Sequence, residues 1–229
     1  MTKPDNNPRS LRTRLRTAAR LSEVFLWDVD RKAALSALVT STYLRGERER
    51  LSGRSVLIAT KGQLATALAL IELDGIARRL VICPSDVPAA HLPSIIATAE
   101  IDGIVSDSAI HRAIPGLGQL VSGPCIEASL HPEPSARDPA DRFVTEWVLL
   151  TSGTTGTPKL VVHSLKALTG AFAGRAQPVA SVVWATFYDI RRYGGLQIFL
   201  RAVTGPTSLV LSNCEESPSD HLHRLARCG

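Results

Sequence analysis

The residues best equipped for chemistry lie together at 151–159, Thr-Ser-Gly-Thr-Thr-Gly-Thr-Pro-Lys. Glycine lets backbone N–H groups approach an oxyanion closely, and successive N–H groups form an anion-binding concavity. The hydroxyls of Thr151, Ser152, Thr154, Thr155 and Thr157 can donate to phosphate oxygens, and Lys159 adds a mobile positive charge. Pro158 stiffens the exit, so a ligand need not order the whole loop. The pattern differs from G-x-x-x-x-G-K-[ST], which runs into a helix. Here the glycines are three apart, the lysine follows a proline, and an apolar run follows the lysine. A kinase or GTPase of that class is therefore disfavoured. The plain alternative is a Gly/Thr hairpin turn, for which nine residues rich in hydroxyls is long.

Other reactive side chains form no comparable group. The cysteines at 83, 125, 214 and 228 make no C-x-x-C pair and match no zinc spacing. Cys83 sits in an apolar run and reads as a small buried hydrophobe. His221 and His223 stand two apart, which on a helix points them away from each other. No metal site is expected. Unpaired thiols suggest a reducing, cytoplasmic setting.

The chain has 229 residues, 45% hydrophobic and 21% charged, enough to bury a sizeable core. This composition excludes a disordered tail, a fibre and a disulfide mini-protein. No uncharged apolar stretch reaches the roughly 18 residues of a membrane span, so none is expected. The net charge of +5 is local: residues 1–20 hold six bases and one acid, and the remainder is balanced. That arm reads either as an anion-, membrane- or import-directed segment or as a solvated helix turning Leu11 and Leu15 inward. It lacks the aromatic interleaving of a nucleic-acid binder, and no nucleic-acid partner is expected.

The elements that must position the 151–159 segment follow from apolar patterning. Ser55–Ala59, Leu80–Cys83 and Gly103–Ser106 read as buried strands. Between them Leu64, Ala67, Leu68 and Ile71 mark one face of a helix stopped at Gly75, and Pro93–Glu100 a second helix. Strand and helix alternating at this spacing predict an α/β fold with a mostly parallel sheet flanked by helices. Residues 122–143 carry Pro124, Pro132, Pro134 and Pro139 and read as a surface connection. Beyond it, strands are expected at Trp147–Leu150, Leu160–Val162, Val182–Thr186 and Ser208–Leu211. Helices are expected around Leu165–Phe172, Leu196–Val203 and Pro218–Arg227. The expected divisions are a basic arm with helices (1–52), a βαβαβ unit (53–121), the connection (122–143) and a phosphate-loop α/β part (144–229).

With these residues in hand, the chain resembles the acyl-adenylate-forming (AMP-binding) superfamily: acyl-CoA ligases, peptide-synthetase adenylation domains and luciferases. Residues 151–159 resemble that family's phosphate-loop signature, and the similarity runs from about Gly53 to Arg227. The resemblance implies Mg2+-ATP as cofactor, with Thr151, Ser152, Gly153, Thr154, Thr155, Gly156 and Lys159 holding the β- and γ-phosphates. It implies conversion of a carboxylic acid to an acyl-adenylate with release of pyrophosphate. It further implies transfer to a thiol, on coenzyme A or on a carrier-protein phosphopantetheine. Phe187, Tyr188, Gly194 and Gly195 resemble the family's aromatic and Gly-Gly segment near the acyl pocket.

Four departures accompany the resemblance. Leu160 stands where the family usually has Gly, and Tyr188 where it often has His. The stretch Asp189–Tyr193 is unusually charged, so Arg191 and Arg192 either form a salt-bridged strand end or meet an anionic substrate. The family's acidic magnesium motif, ribose aspartate and C-terminal lysine domain have no counterpart in these 229 residues. The expectation is a partial N-terminal domain of an acid–thiol ligase, itself short of catalytic elements. The alternative is a truncated, non-catalytic nucleotide- or partner-binding remnant of that fold.

Overall fold

A computed structural model describes residues 10–18, 21–135, 141–151, 158–172, 182–213 and 215–228. In chain order the elements begin α1 (Leu11–Arg16), β1 (Phe25–Trp27), β2 (Lys32–Ala34), α2 (Ala37–Thr40) and β3 (Ser41–Thr42). Next come β4 (Ser55–Ala59), α3 (Gln63–Leu73), β5 (Arg79–Cys83), α4 (Leu92–Thr98), β6 (Gly103–Ser106) and α5 (Ser108–Ala113). Then follow β7 (Cys125–Glu127), β8 (Glu133–Pro134), β9 (Glu146–Thr151), β10 (Lys159–Ser164) and α6 (Leu165–Thr169). The last are β11 (Val183–Ala185), α7 (Tyr193–Thr204), β12 (Ser208–Val210) and α8 (Pro218–Cys228).

The larger sheet has the order β10-β9-β5-β4-β6-β7, parallel throughout except for the β9–β10 hairpin. Its register pairs Leu57 with both Val81 and Ile104, and Val81 with Val148. The pleat sends these residues to one face, where Leu92, Ile95 and Ala99 of the α4 segment cover them. Val56, Ile58, Leu80 and Ile82 point to the other face, against α3. Buried on both faces, these strands carry the continuous apolar runs seen in the sequence.

A second sheet, β11-β12-β1-β2, lies beyond α3, and its Leu26 and Leu209 enter the same core as Leu68 and Ile71. This corrects the amphipathic reading of α3. All eleven of its residues are buried, because one sheet covers each side. Burial extends to Glu72, whose carboxylate accepts from Thr42 Oγ1 and Tyr43 N at 2.6 Å each and faces Arg48 at 3.5 Å. The helix ends at Gly75 with φ +84°, a conformation that favours glycine.

Two further differences concern the flanks. Residues 122–143 are more than a connection: β7 extends the large sheet beside β6 with Ile126 buried, and β8 pairs with β3. The 1–52 segment holds β1 and β2 besides its helices. The described part of the basic arm is the packed helix α1, with Leu11 and Leu15 buried. Ser10 caps it, accepting from Thr13 N, and is tied to Asp141 through Oγ–Oδ1 at 2.6 Å. Among the described residues no helix is long and apolar enough to cross a membrane.

Asp74 locks α1 to the sheet, accepting from Leu11 N at 2.8 Å and Trp147 Nε1 at 3.1 Å. Burial pushes its carboxyl up to about 6, outweighing those two donors. The folded state therefore takes up a proton that the unfolded chain, with a carboxyl near 3.9, does not. Stability is expected to rise by up to about 3 kcal/mol as pH falls from 7 to 4 through this group. Glu216, held down to about 2, acts oppositely below about 4.5. Urea midpoints at pH 7 and pH 5 check this. A higher midpoint at pH 5 is expected, with a smaller rise in Asp74→Asn, where the buried carboxyls of Glu72 and Asp28, also pushed up, remain, and a lower midpoint contradicts it.

Candidate functional site

In parallel α/β sheets ligands gather where strands end at their carboxyl edge, and five segments meet at that edge here. They follow β4 (Thr60–Gly62), β5 (Pro84–Asp86), β6 (Asp107) and β9 (Thr151), with residues 186–195 crossing above them.

Thr151 closes β9 and Lys159 opens β10, and the two face each other directly across the hairpin. Thr151 Oγ1 donates to the Lys159 carbonyl at 3.4 Å. Both side chains are exposed. Six cross-strand pairs, from Lys159–Thr151 to Ser164–Glu146, hold this end rigid, and buried Trp147 anchors β9. Among the described residues Lys159 has no ion-pair partner, so its charge is free for an anion. Ser152, Gly153, Thr154, Thr155 and Gly156 lie outside the described residues, and what the structure fixes is the two ends of their loop.

The crevice between β4 and β6, the point where strand order reverses, is already filled. Asp107 Oδ2 accepts from Lys61 N at 2.7 Å and Gly62 N at 3.1 Å, and Oδ1 accepts from Ile110 N at 2.9 Å. Lys61 Nζ pairs with Glu215 at 3.0 Å. The N–H groups that could cradle a phosphate there hold the protein's own carboxylate. The β9–β10 hairpin lies two strands along the sheet from this crevice.

Residues 186–195 are pinned over the same edge. Arg191 is buried, donates from Nη1 to the carbonyls of Thr60 (2.5 Å) and Lys61 (3.2 Å), and clamps Asp189 through Nε and Nη2. Arg192 pairs with Asp86 at 2.7 Å in solvent. The salt-bridged reading thus fits both arginines, although Arg191 is buried and not exposed. Gln63, the first residue of α3, ties the parts together. It accepts from Ile190 N at 2.8 Å and donates to the Ser212 carbonyl at 2.7 Å.

Phe187 and Tyr188 are exposed aromatics here, at 56% and 66%. The Phe187 ring packs on His221 with centroids 4.4 Å apart at 60°. His221 is buried, and its Nδ1 lies 2.9 Å from Glu216 Oε2. Glu216 is held down near 2 chiefly by the hydrogen bonds it receives from Arg224. Gly194 and Gly195 open α7. A Cβ on Gly195 would stand 2.2 Å from the Asp189 carbonyl, so that position accepts no side chain, while Gly194 faces open space. The sequence patterning missed Asp107, Gln63 and the Glu216–His221–Arg224 cluster. Only Asp107 left a signal, as the N-cap residue before Ser-Ala-Ile.

Among the described residues no group of three His, Cys, Asp or Glu could hold a metal ion. Cys83, at the end of β5, is pushed up to about 11 by burial and is no thiolate nucleophile. The edge therefore offers an exposed cation and hydroxyl on a rigid hairpin, with exposed aromatics on a separately pinned segment. That donor set suits a phosphate-bearing ligand.

No family model matches the chain. It is 29% identical over 130 residues to FR901469 synthetase of Dothideomycetidae sp. (strain 11243), covering 52% of this chain and 1% of that protein. Apo MatB from Rhodopseudomonas palustris superposes with a TM-score of 0.72 at 16% identity, covering 95% of this chain and 48% of that one. A luciferase-like enzyme from the nonluminescent mealworm Zophobas morio gives 0.71 at 16% identity, with 99% and 59% covered. O-succinylbenzoate coenzyme A synthetase (MenE) from Bacillus subtilis, in complex with ATP and magnesium ion, gives 0.69 at 15%, with 96% and 61% covered. At these identities the likeness shows the fold: the chain shares the α/β architecture of these enzymes, with its mostly parallel sheet flanked by helices. It spans 48–61% of the solved enzymes' length and 1% of the synthetase.

Proposed function

We propose that the complete protein activates a carboxylic acid with Mg2+-ATP, forming an acyl-adenylate and releasing pyrophosphate, and then passes the acyl group to a thiol. The thiol is that of coenzyme A or a carrier-protein phosphopantetheine. One observation carries the reading: a Thr-Ser-Gly-Thr-Thr-Gly-Thr-Pro-Lys segment spans Thr151 and Lys159, set face to face at the carboxyl edge of an adenylate-forming fold. The three described cysteines are free thiols, in keeping with a cytoplasmic protein.

Lys159 and the hydroxyl of Thr151 hold the β- and γ-phosphates, together with Ser152, Gly153, Thr154, Thr155 and Gly156. ATP supplies a leaving group that makes the carboxylate electrophilic. The residues of the chain contribute preorganised positive charge where the departing pyrophosphate gathers negative charge, which lowers the barrier without reorganisation. Pairing of β9 to β5 and the hairpin keep that charge in place. Phe187 and Tyr188 offer faces for the acyl or adenine group, with Phe187 braced by His221. Magnesium is expected to arrive with the phosphates, since it is commonly held by one or two carboxylates plus substrate oxygens.

Exchange of labelled pyrophosphate into ATP by the full-length protein tests the reading. Exchange that requires an added carboxylic acid is expected. Exchange indifferent to the acid, or absent with every acid class supplied, counts against it.

A further inference from the structure

The outer end of the second sheet carries a cleft of ≈ 360 Å³ between the turn joining β1 to β2 and the last turn of α8. That volume lies within the roughly 300–1,000 Å³ of small-molecule sites. The residues that matter on its walls are Trp27, Asp28, Asp30, Lys32, Arg224 and Arg227.

Its cations are prepared in a way that surface charges ordinarily are not. Lys32 Nζ stands 4.7 Å from the ring centroids of both Phe25 and Trp27, and among the described residues it pairs with no carboxylate. Two ring faces position the ammonium while leaving its charge unneutralised. Arg227 is exposed and likewise has no acidic partner among the described residues. Arg224 lies deeper, at 3% exposure. Its Nε and Nη2 are spent on Glu216 and the Leu211 carbonyl. Its Nη1 is buried with no hydrogen-bond partner among the described residues. An unmet buried donor is costly, and a bound oxygen acceptor would relieve it.

From these observations we propose that the cleft binds a small organic monocarboxylate. Its carboxylate would lie among Lys32, Arg227 and Arg224 Nη1, and its apolar body against Trp27. Asp28 and Asp30 on the same walls disfavour a polyphosphate or other multiply charged anion. Burial pushes the Asp28 carboxyl up from its ordinary value, which lessens its repulsion of a single charge. The cleft shares no lining residue with the β9–β10 hairpin, and the inference is independent of the function proposed for that hairpin.

Calorimetric titration of benzoate into the 229-residue chain tests the proposal, beside Lys32→Glu, Arg227→Glu and Lys159→Ala. Saturable binding is expected, at least tenfold weaker in Lys32→Glu and Arg227→Glu and unchanged in Lys159→Ala. Lys32 and Arg227 are exposed, so both variants keep the fold, and an unchanged urea midpoint verifies it. No saturable binding, equal binding in the cleft variants, or a loss confined to Lys159→Ala would each overturn the proposal. The last result would place benzoate at the hairpin.

Discussion

Arg191→Ala is expected to destabilise the protein by about 3 kcal/mol, while its neighbour Arg192→Ala costs less than about 1 kcal/mol. The two arginines are adjacent in sequence and each pairs with an aspartate, so only their surroundings separate them. The Arg191 side chain is 2% exposed, against 41% for Arg192. Removing Arg191 strips the partners from Asp189 and from the carbonyls of Thr60 and Lys61 at once. Breaking a buried pair costs about 3–5 kcal/mol. The low end applies because Asp189 keeps 29% of its side chain in water and can be rehydrated. Removing Arg192 frees Asp86, which is 71% exposed, into solvent at little cost. Urea denaturation of both variants measures the contrast. Equal losses would mean that Arg191 is not the pin that holds residues 186–195 over the sheet edge.

The sequence carried the large sheet well, because a strand buried on both faces writes itself as an unbroken apolar run. Ser55–Ala59 and Gly103–Ser106 emerged with the bounds of β4 and β6. The four apolar positions Leu196, Phe199, Leu200 and Val203 are all buried on α7. What escaped was short or non-local. β1, β2 and β7 have three residues each, too few for alternation to register. Without β1 and β2 the second sheet stays incomplete, and α3 then looks one-sided instead of enclosed. At the candidate site, residue type alone singled out Thr151 and Lys159, which the structure sets opposite each other. The filling of the β4–β6 crevice by Asp107 was not, because it depends on two N–H groups 45 and 46 residues away in the chain. Arg191 looked like a surface charge for the same reason: the carbonyls that satisfy it lie 130 and 131 positions away.

The second large effect concerns Lys159. A charge-assisted contact to a phosphate oxygen contributes about 1.5–3 kcal/mol, and each 1.4 kcal/mol is tenfold in affinity. Lys159→Ala is therefore expected to weaken Mg2+-ATP binding by about ten- to a hundredfold. The fold should be untouched, since the side chain is exposed and has no ion-pair partner among the described residues. AMP lacks the β- and γ-phosphates, so its affinity should hardly respond. This makes the comparison of ATP with AMP more telling than either alone.

Calorimetric titration of the chain and of Lys159→Ala with Mg2+-ATP and with AMP is the most direct measurement. The account predicts that the unaltered chain prefers ATP over AMP, and that Lys159→Ala erases the preference by weakening ATP alone. Equal affinities for ATP and AMP in the unaltered chain, or a preference that survives in Lys159→Ala, would contradict the assignment of the 151–159 hairpin as the phosphate cradle.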